Sequence, residues 1–287
     1  MQVKLAAVSG FCGNDGQFGV SGAIKIAQQA ALDYPDQVYI VGDLVHNDHV
    51  THWLQDSYGI HFVTSLDKVP AKKVLVIKAH GAPPAFIEQA QAKNLRLIDA
   101  TCPMVKAAQK LVVQFVSQGK EIIYVASSPT HDEAVSVSHQ VDHGVKVVTV
   151  DQLDKLKIKH PDNTVVLTQT TLSVQETSQK FALLAKKYPT LTIRPHMCQA
   201  TTQRQQAVLD LAPTVDILIV VGAPHSSNSQ RLLEVAQSTG KPAYAVDNVD
   251  QLQATWFDHT MLTVGVIAGA STPAWVTQAV VDKLQSL

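Results

Sequence analysis

Three cysteines lie far apart in the sequence, and each one follows a short run of β-branched residues. Cys12 ends the segment SGFC, Cys102 lies in DATCP, and Cys198 lies in HMCQATT. The separations are 90 residues (from 12 to 102) and 96 residues (from 102 to 198). Because parallel α/β units bind ligands beyond the carboxyl ends of their strands, this repeated placement predicts that the three thiols converge on one site.

Three converging thiolates would bind a soft metal, which means zinc, copper(I) or an iron–sulfur cluster. A zinc site of three cysteines and one histidine is one alternative, since the chain has 12 histidines. Unrelated buried thiols are another, because a free cysteine packs as a small apolar residue. A four-iron cluster usually takes four cysteines, so three would leave one iron with an open position. Such an iron is a Lewis acid that can take a hydroxyl or water, and this favours a catalytic cluster.

Polar loops follow two further strands in each third of the chain. They read GDLVHN, PTHDE and GAPHSSNS in one set, and AHG, TQTTLS and AGASTP in the other. Their histidines can donate hydrogen bonds to an anion, and their serines and asparagine precede predicted helices, whose N-termini suit phosphate. The candidate anion ligands are His46, His80, His131, Ser226, Ser227, Asn228 and Ser271.

A carboxyl group and two hydroxyls in the same loops are candidates for proton transfer. Glu133 comes two residues after His131, and a carboxyl group beside an apolar ligand and a cluster is expected to have a raised pKa. Thr170 and Thr171 are placed to relay a proton or to hold a substrate hydroxyl. We interpret Asp43, Lys78 and Asp99 as structural residues.

The elements that must position these residues are short strands alternating with helices. Runs typical of buried parallel strands occur at 3–10, 37–42, 74–80, 95–100, 121–127, 145–150, 163–169, 191–195, 216–223 and 262–270. Helical patterns follow Gly22 and cover 104–119, 229–240 and 272–287, the last with Ser271 and Thr272 as candidate N-caps. This alternation predicts an α/β fold with mostly parallel sheets.

The repeated order of cysteine, polar loop and polar loop predicts three α/β lobes of roughly 95 residues each. The expected lobes are 1–96 with Cys12, 97–190 with Cys102, and 191–287 with Cys198. Residue identity between the three segments is weak, so the repetition is one of architecture. We therefore expect a trefoil of pseudo-repeated lobes around a central cluster site.

Composition excludes several classes of function. The 287 residues carry Lys+Arg 23 against Asp+Glu 24, for a formal charge of −1. No global field exists to hold nucleic acid or an anionic membrane, and no apolar run approaches the ~18 residues of a membrane span. The first residues resemble a strand rather than a signal peptide, and three cysteines do not make a disulfide framework. We therefore expect a cytosolic protein.

These motifs resemble, in the same order, those of the 4-hydroxy-3-methylbut-2-enyl diphosphate reductase (LytB/IspH) family. The segments that carry the resemblance are GFC, GDLVHN, AHG, DATCP, HDE, TQTTLS, CQATTQRQ, SSNSQRL and AGASTP. Each is weak alone, but nine in order from residue 10 to 273 are highly specific. The family fold is a trefoil of three α/β lobes, which agrees with the spacing argument.

The resemblance implies an iron–sulfur reductase with a [4Fe–4S] cluster on Cys12, Cys102 and Cys198. The substrate would be an allylic diphosphate alcohol, reduced to isopentenyl and dimethylallyl diphosphate, with electrons from a flavodoxin or ferredoxin-type protein. Residues that match the family motifs would hold the diphosphate: His46, His80, Ser226, Ser227, Asn228 and Ser271. His131 would assist binding and proton delivery, Glu133 would supply the proton, and Thr170 would contact the substrate hydroxyl.

Two loops depart from the family pattern. Residues 13–18, GNDGQF, contain an insertion of about five residues beside a cluster ligand, and residues 130–136 lack both glycines of the family segment. A paralogue that reduces another hydroxylated anion, and a non-enzymatic cluster or metal sensor, therefore remain alternatives. We also expect the 13–18 loop to lie over the cluster and to limit access to it.

Overall fold

The computed structural model describes residues 1–13, 18–257 and 262–287. Within these ranges the chain forms twelve short strands and nine α-helices that alternate along most of its length. The α/β class expected from the sequence is confirmed.

The strands are three to six residues long, and each of the ten runs predicted from the sequence contains one. Two strands were not predicted, β3 and β11, which are edge strands of their sheets. Both are short: β3 reads HFV and begins with an exposed histidine, and β11 is a run of only four apolar residues, AYAV. The strands are β1 (Gln2–Leu5), β2 (Val38–Val41), β3 (His61–Val63), β4 (Val74–Ile77), β5 (Arg96–Asp99), β6 (Glu121–Val125), β7 (Val145–Val148), β8 (Thr164–Thr168), β9 (Thr192–Arg194), β10 (Ile217–Val221), β11 (Ala243–Val246) and β12 (Thr263–Ala268).

The α-helices follow most of the strand ends, and all four predicted helical patterns coincide with one. Gly119 and Gly240 stand just beyond two of them with φ of +77°, in the left-handed conformation that ends a helix. The helices are α1 (Gly19–Asp33), α2 (Asp48–Tyr58), α3 (Pro84–Ala92), α4 (Pro103–Ser117), α5 (Asp132–Ser138), α6 (Val174–Lys187), α7 (Gln199–Leu211), α8 (Ser227–Ser238) and α9 (Ala274–Ser286).

Three four-stranded sheets organise the fold, and every strand pair in them is parallel. Sheet 1 has the order β3-β2-β4-β5, sheet 2 the order β7-β6-β8-β9, and sheet 3 the order β11-β10-β12-β1. The three sheets share one strand order. If the strands of each sheet are numbered along the chain, with β1 taken as the fourth strand of sheet 3, the order across every sheet is 2-1-3-4. The trefoil of three pseudo-repeated lobes is confirmed.

Strand pairing divides the chain slightly differently from the predicted lobe boundaries. Strand β5 pairs with β4, β9 pairs with β8, and β1 pairs with β12. Each cysteine thus follows the last strand of one sheet and precedes the helix that leads into the next. The lobe boundaries after residues 96 and 190 stay a prediction. In the sheets, β5, β9 and β1 each pair with the third strand of the sheet that comes before the cysteine.

Each sheet is buried on both faces, which explains why its strands show no clean alternation of apolar and polar residues. In sheet 1, for example, Ile40 packs against α1 and α2 residues such as Ala27 and Leu54, whereas Tyr39 faces a separate cluster with Leu75 and Ile87. Sheets 2 and 3 likewise carry one apolar cluster on each face. This two-sided packing holds the strand ends, and the loops that follow them, in fixed positions.

Helix α9 begins one residue later than its sequence signal suggests. Its N-cap is Pro273, without a side-chain cap, while Val276, Val280 and Leu284 form the buried face that the sequence predicts. Ser271 does not cap this helix; its hydroxyl donates to the carbonyl of His46, 3.0 Å away, in the loop after β2. The side chain is therefore used to join sheet 3 to sheet 1.

Candidate active site

One cavity of about 480 Å³ is lined by loops from the carboxyl ends of strands in all three sheets. All thirteen site residues predicted from the sequence line it, and several apolar side chains, including Val45 and Val105, fill the remaining wall. The structure therefore brings together residues that are up to 259 positions apart in the chain (12 to 271). The thirteen are Cys12, His46, His80, Cys102, His131, Glu133, Thr170, Thr171, Cys198, Ser226, Ser227, Asn228 and Ser271.

The three sulfurs occupy equivalent places in the three sheets. The backbone N–H of Cys12 donates to Ala270 O (3.0 Å), that of Cys102 to Ala79 O (2.9 Å), and that of Cys198 to Thr170 O (3.0 Å). In each case the cysteine follows a fourth strand, and the acceptor lies in the loop after the neighbouring third strand. Three sequences with little identity thus use one backbone hydrogen bond to place one thiol.

Two of the three sulfurs also accept hydrogen bonds from backbone N–H groups at the starts of helices. Val20 N lies 3.2 Å from Cys12 Sγ, and Thr201 N lies 3.3 Å from Cys198 Sγ. Cys102 is the N-cap of α4, and its side chain makes no capping hydrogen bond. Helix N-termini favour anions, so these positions suit thiolates. Gly19 is required beside Cys12, because a Cβ there would lie 2.6 Å from its sulfur.

Burial and the neighbouring sulfurs favour the neutral thiol over the thiolate. Burial raises the pKa of Cys12 and of Cys102, and in both cases the charge of the neighbouring cysteines raises it further. The buried Arg204 offsets part of this effect at Cys12, and its guanidinium is held by Gly10 O (2.6 Å) and Ala200 O (3.0 Å). Thiols arranged in this way would lose their protons when a metal binds.

The donor set at this end of the cavity fits a soft metal group. Three sulfurs line it, two of them with a backbone N–H donor, and none is paired in a disulfide. Groups of histidine and carboxylate that could hold a harder ion do occur among the described residues, but both groups contain His46 and neither contains a cysteine. The residues therefore fit an iron–sulfur cluster with three protein ligands.

Three histidine rings form another part of the cavity wall. His46 and His80 stack with ring centroids 4.0 Å apart, and His131 stands edge-on to them at 5.2 Å and 5.8 Å. Burial lowers the pKa of His80 well below its ordinary value and lowers that of His131 to about 4, with the charge of neighbouring His46 acting in the same direction. Both rings are therefore neutral near pH 7 in the protein without ligand.

Several polar atoms here are buried without a hydrogen-bond partner. They include His46 Nε2, His80 Nδ1 and Asn228 Nδ2. A buried donor without a partner is costly, so such a set points to a ligand that supplies the missing acceptors. The amide nitrogen of Asn228 is a donor only, and Asn228 lies in the first turn of α8, where the helix dipole also favours an anion.

Gln169 organises the adjoining hydroxyls, and sequence analysis did not single it out. Its Oε1 accepts from Ser127 N (2.8 Å), which fixes its amide as a donor towards Thr171 Oγ1 (2.9 Å) and Ser227 Oγ (3.4 Å). Thr171 in turn donates to Ser227 Oγ at 3.1 Å. A hydrogen-bonded patch thus joins the end of sheet 2 to the start of α8; the signal in the sequence was the amide that precedes the two threonines of TQTT.

Glu133 and Thr170 form a buried pair at the cavity wall. Glu133 is 2% exposed, and its carboxylate accepts from Thr170 N (2.8 Å, at Oε1) and Thr170 Oγ1 (2.7 Å, at Oε2). Burial raises the pKa of Glu133, and the hydrogen bonds from Thr170 and from Tyr124 only partly offset this effect. The raised pKa expected from the sequence is thus present, with burial as its cause.

His131 supports this pair from the adjoining turn. Its Nδ1 accepts the backbone N–H of Glu133 at 3.1 Å and thereby caps α5. Its other ring nitrogen, Nε2, lies 3.3 Å from the amide nitrogen of Gln169, so the ring also contacts the loop after β8.

Lys78, which the sequence analysis assigned to structure, lies beside the histidines. Its Nζ is 2.6 Å from Asp132 Oδ2, so it joins the end of β4 to the residue between His131 and Glu133. His225 was also not predicted; its ring lies edge-on to His46 at 5.9 Å and its Nε2 is 3.7 Å from Asp43 Oδ2.

Of the two loops that depart from the family pattern, 130–136 is described in full and 13–18 only at its ends. In 130–136 no non-glycine residue has positive φ, since those among the described residues are Asp36, Lys72 and Asn94. Ser136 is buried and accepts from Gln109 Nε2 at 2.8 Å, so the loop is accommodated without glycine. In the other loop, Gly13 and Phe18 line the cavity, but residues 14–17 lie outside the described residues, as does the expectation that this loop covers the cluster.

Comparison with known proteins gives a consistent result over the full chain. A sequence model described as "LytB protein" matches residues 3–285. A Ralstonia nicotianae protein named 4-hydroxy-3-methylbut-2-enyl diphosphate reductase is 38% identical over 100% of this chain and 87% of its own length. An Acinetobacter baumannii protein of the same name is 37% identical over 99% of this chain and 90% of its own length.

Solved structures agree. The Plasmodium falciparum (E)-1-hydroxy-2-methyl-but-2-enyl-4-diphosphate reductase superposes with a TM-score of 0.90 at 31% identity, covering 99% of this chain and 88% of that one. A second structure, described as the terminal enzyme of the non-mevalonate pathway, gives a TM-score of 0.68 at 27% identity with full coverage of both chains. No helix among the described residues has the length and apolar character needed to cross a membrane.

Proposed function

The chain belongs to the LytB protein family, and from that premise we propose that it catalyses the two-electron reductive dehydroxylation of 4-hydroxy-3-methylbut-2-enyl diphosphate. The products would be isopentenyl and dimethylallyl diphosphate. The observation that carries the proposal is the content of a single cavity: three converging sulfurs, a buried carboxyl–threonine pair and several unpartnered donors. A sensor has no need of a buried acid, and a neutral substrate has no need of the donors.

Cys12, Cys102 and Cys198 would hold a [4Fe–4S] cluster. The support is their equivalent placement, the backbone N–H donors to the Cys12 and Cys198 sulfurs, and the absence of a fourth cysteine in the sequence. When bound, such a cluster supplies electrons one at a time and a Lewis-acidic iron without a fourth protein ligand.

The histidine wall and the first turn of α8 would bind the diphosphate. His46 and His80 offer buried ring nitrogens without partners, Asn228 offers a buried amide N–H group without a partner, and Ser226 and Ser227 stand at the helix N-terminus. Lys78 adds a positive charge close by. An anion bound here would stabilise the protonated form of His80 and His131, whose pKa values are lowered in the ligand-free protein. Thr171 and Ser271 complete the polar wall.

Glu133 and Thr170 would deliver the proton that leaves with the hydroxyl group. The reaction breaks one C–O bond and consumes two electrons and two protons: one proton leaves in water and the other is added to the allylic carbon. Burial raises the pKa of Glu133, which favours its protonated form. In that form the carboxyl would donate through Oε2 to Thr170 Oγ1, 2.7 Å away, and the threonine hydroxyl would pass a proton to the substrate hydroxyl. His131 keeps the carboxyl in place through the Glu133 N–H.

The electrons must come from a partner, because the chain carries no second redox centre in this proposal. A flavodoxin or ferredoxin-type protein supplies single electrons at low potential and fits this demand. We place the activity in the cytosol, since three unpaired cysteines beside a metal site require a reducing compartment.

Anaerobic reconstitution with iron and sulfide, followed by a single-turnover assay with the diphosphate alcohol and a chemical reductant, tests the proposal. Five-carbon diphosphate products would support the family reaction. A cluster that forms without turnover would refute this substrate and favour a related hydroxylated anion. If iron does not bind and zinc does, the cluster assignment fails as well.

A further inference from the structure

A buried tyrosine lies behind the carboxyl group of Glu133. Tyr124 is the fourth residue of β6, the strand at the centre of sheet 2, and its side chain is 0% exposed. Its hydroxyl donates to Glu133 Oε1 at 3.0 Å. Tyr124 does not line the cavity, whereas Glu133 and Thr170 do. The carboxyl group is therefore held between a tyrosine in the core and a threonine at the cavity wall.

The other two sheets show that this hydroxyl is not required by the fold. In each sheet the last residue of the first strand pairs with the last residue of the second: Val41 with Val63, Val125 with Val148, and Val221 with Val246. The residues one position earlier are Ile40, Tyr124 and Val220, and all three are fully buried. Only the sheet that carries a buried glutamate places a hydroxyl at this position.

Counting lone pairs shows what the hydroxyl does to the carboxyl group. Glu133 Oε1 accepts two hydrogen bonds, one from Tyr124 and one from Thr170 N, and these use both of its lone pairs. Oε2 accepts one, from Thr170 Oγ1. A proton added to the carboxylate is thus directed to Oε2, the oxygen that faces Thr170. Burial and the adjacent carboxylate raise the pKa of Tyr124 well above its ordinary value, so the phenol remains a donor.

We propose that Tyr124 is a positioning residue that directs the acid proton of Glu133 to Oε2 and lowers the affinity of the carboxyl group for that proton. A donor to the ionised form stabilises that form, so the tyrosine offsets part of the effect of burial. The inference rests on the proposed function for its link to catalysis, but the carboxyl–phenol interaction can be measured without turnover.

Few charged groups compete with Tyr124 for control of Glu133. Besides Thr170 from the end of β8 and His131 on its own turn, the titratable group that faces Glu133 is His196, which follows β9 and whose Nε2 is 2.9 Å from Met104 O. The nearest charge on the same helix is Asp132, which is paired with Lys78. None of these contacts is removed when Tyr124 is changed to phenylalanine.

The test is a carboxyl titration by infrared spectroscopy on the metal-free, full-length protein. Glu133→Gln identifies the band of Glu133, and Tyr188→Phe is the matched control, because Tyr188 Oη also donates one hydrogen bond in this lobe, to Leu156 O at 3.1 Å, but far from the cavity. In Tyr124→Phe the pKa of Glu133 should rise by about one to two units, the size expected for loss of one hydrogen bond to a charged group. The control should leave it unchanged.

The same variant should shift the pH profile of the reconstituted enzyme. Because Glu133 must be protonated to act as an acid, activity falls as pH rises through its pKa, and this limb should move to higher pH by the same amount in Tyr124→Phe. A Glu133 titration that is unchanged in a folded Tyr124→Phe protein would overturn the inference. If that variant does not fold, site-specific 3-fluorotyrosine at 124, a stronger donor, should lower the pKa of Glu133; no shift there would overturn it equally. A shift in the titration without turnover in the wild type would refute only the proposed function.

Discussion

The two ends of the cavity are built by different rules. At the sulfur end the three lobes contribute the same residue, with the same backbone hydrogen bond, from the same strand position. At the polar end equivalent positions hold different residues. Each cysteine N–H donates to a backbone carbonyl, and the residue that follows this carbonyl is His80 in one lobe, Thr171 in the second and Ser271 in the third. A pseudo-threefold fold thus supplies equal ligands for a symmetric cluster and unequal ones for a substrate without that symmetry.

The polar end is also where the lobes bind one another. Lys78, after β4, contacts Asp132 of the next lobe, and Gln169, after β8, contacts Ser227 of the lobe after that. Ser271, after β12, closes the cycle by donating to His46 O. Lys78 and Gln169 precede by one residue the carbonyls that anchor Cys102 and Cys198, so they are equivalent by position and different in chemistry.

Breaking the symmetry of the sulfur end should have the largest effect. Cys12→Ser, Cys102→Ser and Cys198→Ser should each lose the cluster, its iron and its visible absorbance, and turnover should fall below detection, since a serine does not replace a thiolate on iron. The three variants should be equally affected, because their positions are equivalent. Ser271→Ala is the control, because it alters the polar end and should keep the iron. Full iron content in any one cysteine variant would show that this residue is not a ligand.

Removing the acid should have the next largest effect while leaving the sulfur end intact. Glu133→Gln should keep the cluster spectrum and lower turnover by about 10²–10⁴, the range for loss of a general acid. Turnover within a factor of two of wild type would contradict the role of Glu133.

The same variant predicts the sign of a pH effect on stability. Burial raises the pKa of Glu133 above its ordinary value of 4.5, so the folded protein binds this proton more tightly than the unfolded chain does. The free energy of unfolding should therefore fall as pH rises from about 4.5 through the folded pKa. Urea titrations of metal-free protein should show this slope in the wild type, and it should be smaller in Glu133→Gln.

Truncating one donor of the polar end should weaken binding without weakening the fold. Asn228→Ala removes a buried donor that has no partner in the ligand-free protein, so stability should be unchanged or higher. KM should rise about 10–100-fold, as expected for a lost hydrogen bond to an anion, with kcat little changed. Asn163→Ala is the matched control: its amide donates to Gly119 O at 2.8 Å on the surface, so it should cost stability and leave KM alone. An unchanged KM in Asn228→Ala would remove Asn228 from the diphosphate site.

The same difference between the two ends explains what the sequence could predict. Cysteines after strands and polar residues before helices are local signals; their repeated order predicted three lobes, and the thirteen candidate residues all line the cavity. Tyr124 could not be identified in this way, because in the run EIIYV it is one more β-favouring residue, and its partner is nine positions away on another element. Gln169, Lys78 and His225 act across lobes, and their partners depend on how the sheets meet. Strands β3 and β11 are short edge strands: exposed His61 begins the first, and the second has only four residues, AYAV.

The smallest expected effect comes from the ion pair that joins two lobes at the polar end. Lys78 and Asp132 are 2.6 Å apart, with side chains 20% and 33% exposed, so the pair contributes at most about 1 kcal/mol to stability. Lys78→Met should keep the cluster and raise KM a few-fold, because a positive charge near the anion is lost. Its charge also lowers the pKa of His131, which should rise slightly from about 4 in the variant. Lys106→Met is the control, since Lys106 pairs with Asp99 at 2.7 Å but lies outside the cavity lining. The increase in KM should diminish at high salt, where charges are screened; an increase independent of salt would assign to Lys78 a role in loop structure instead.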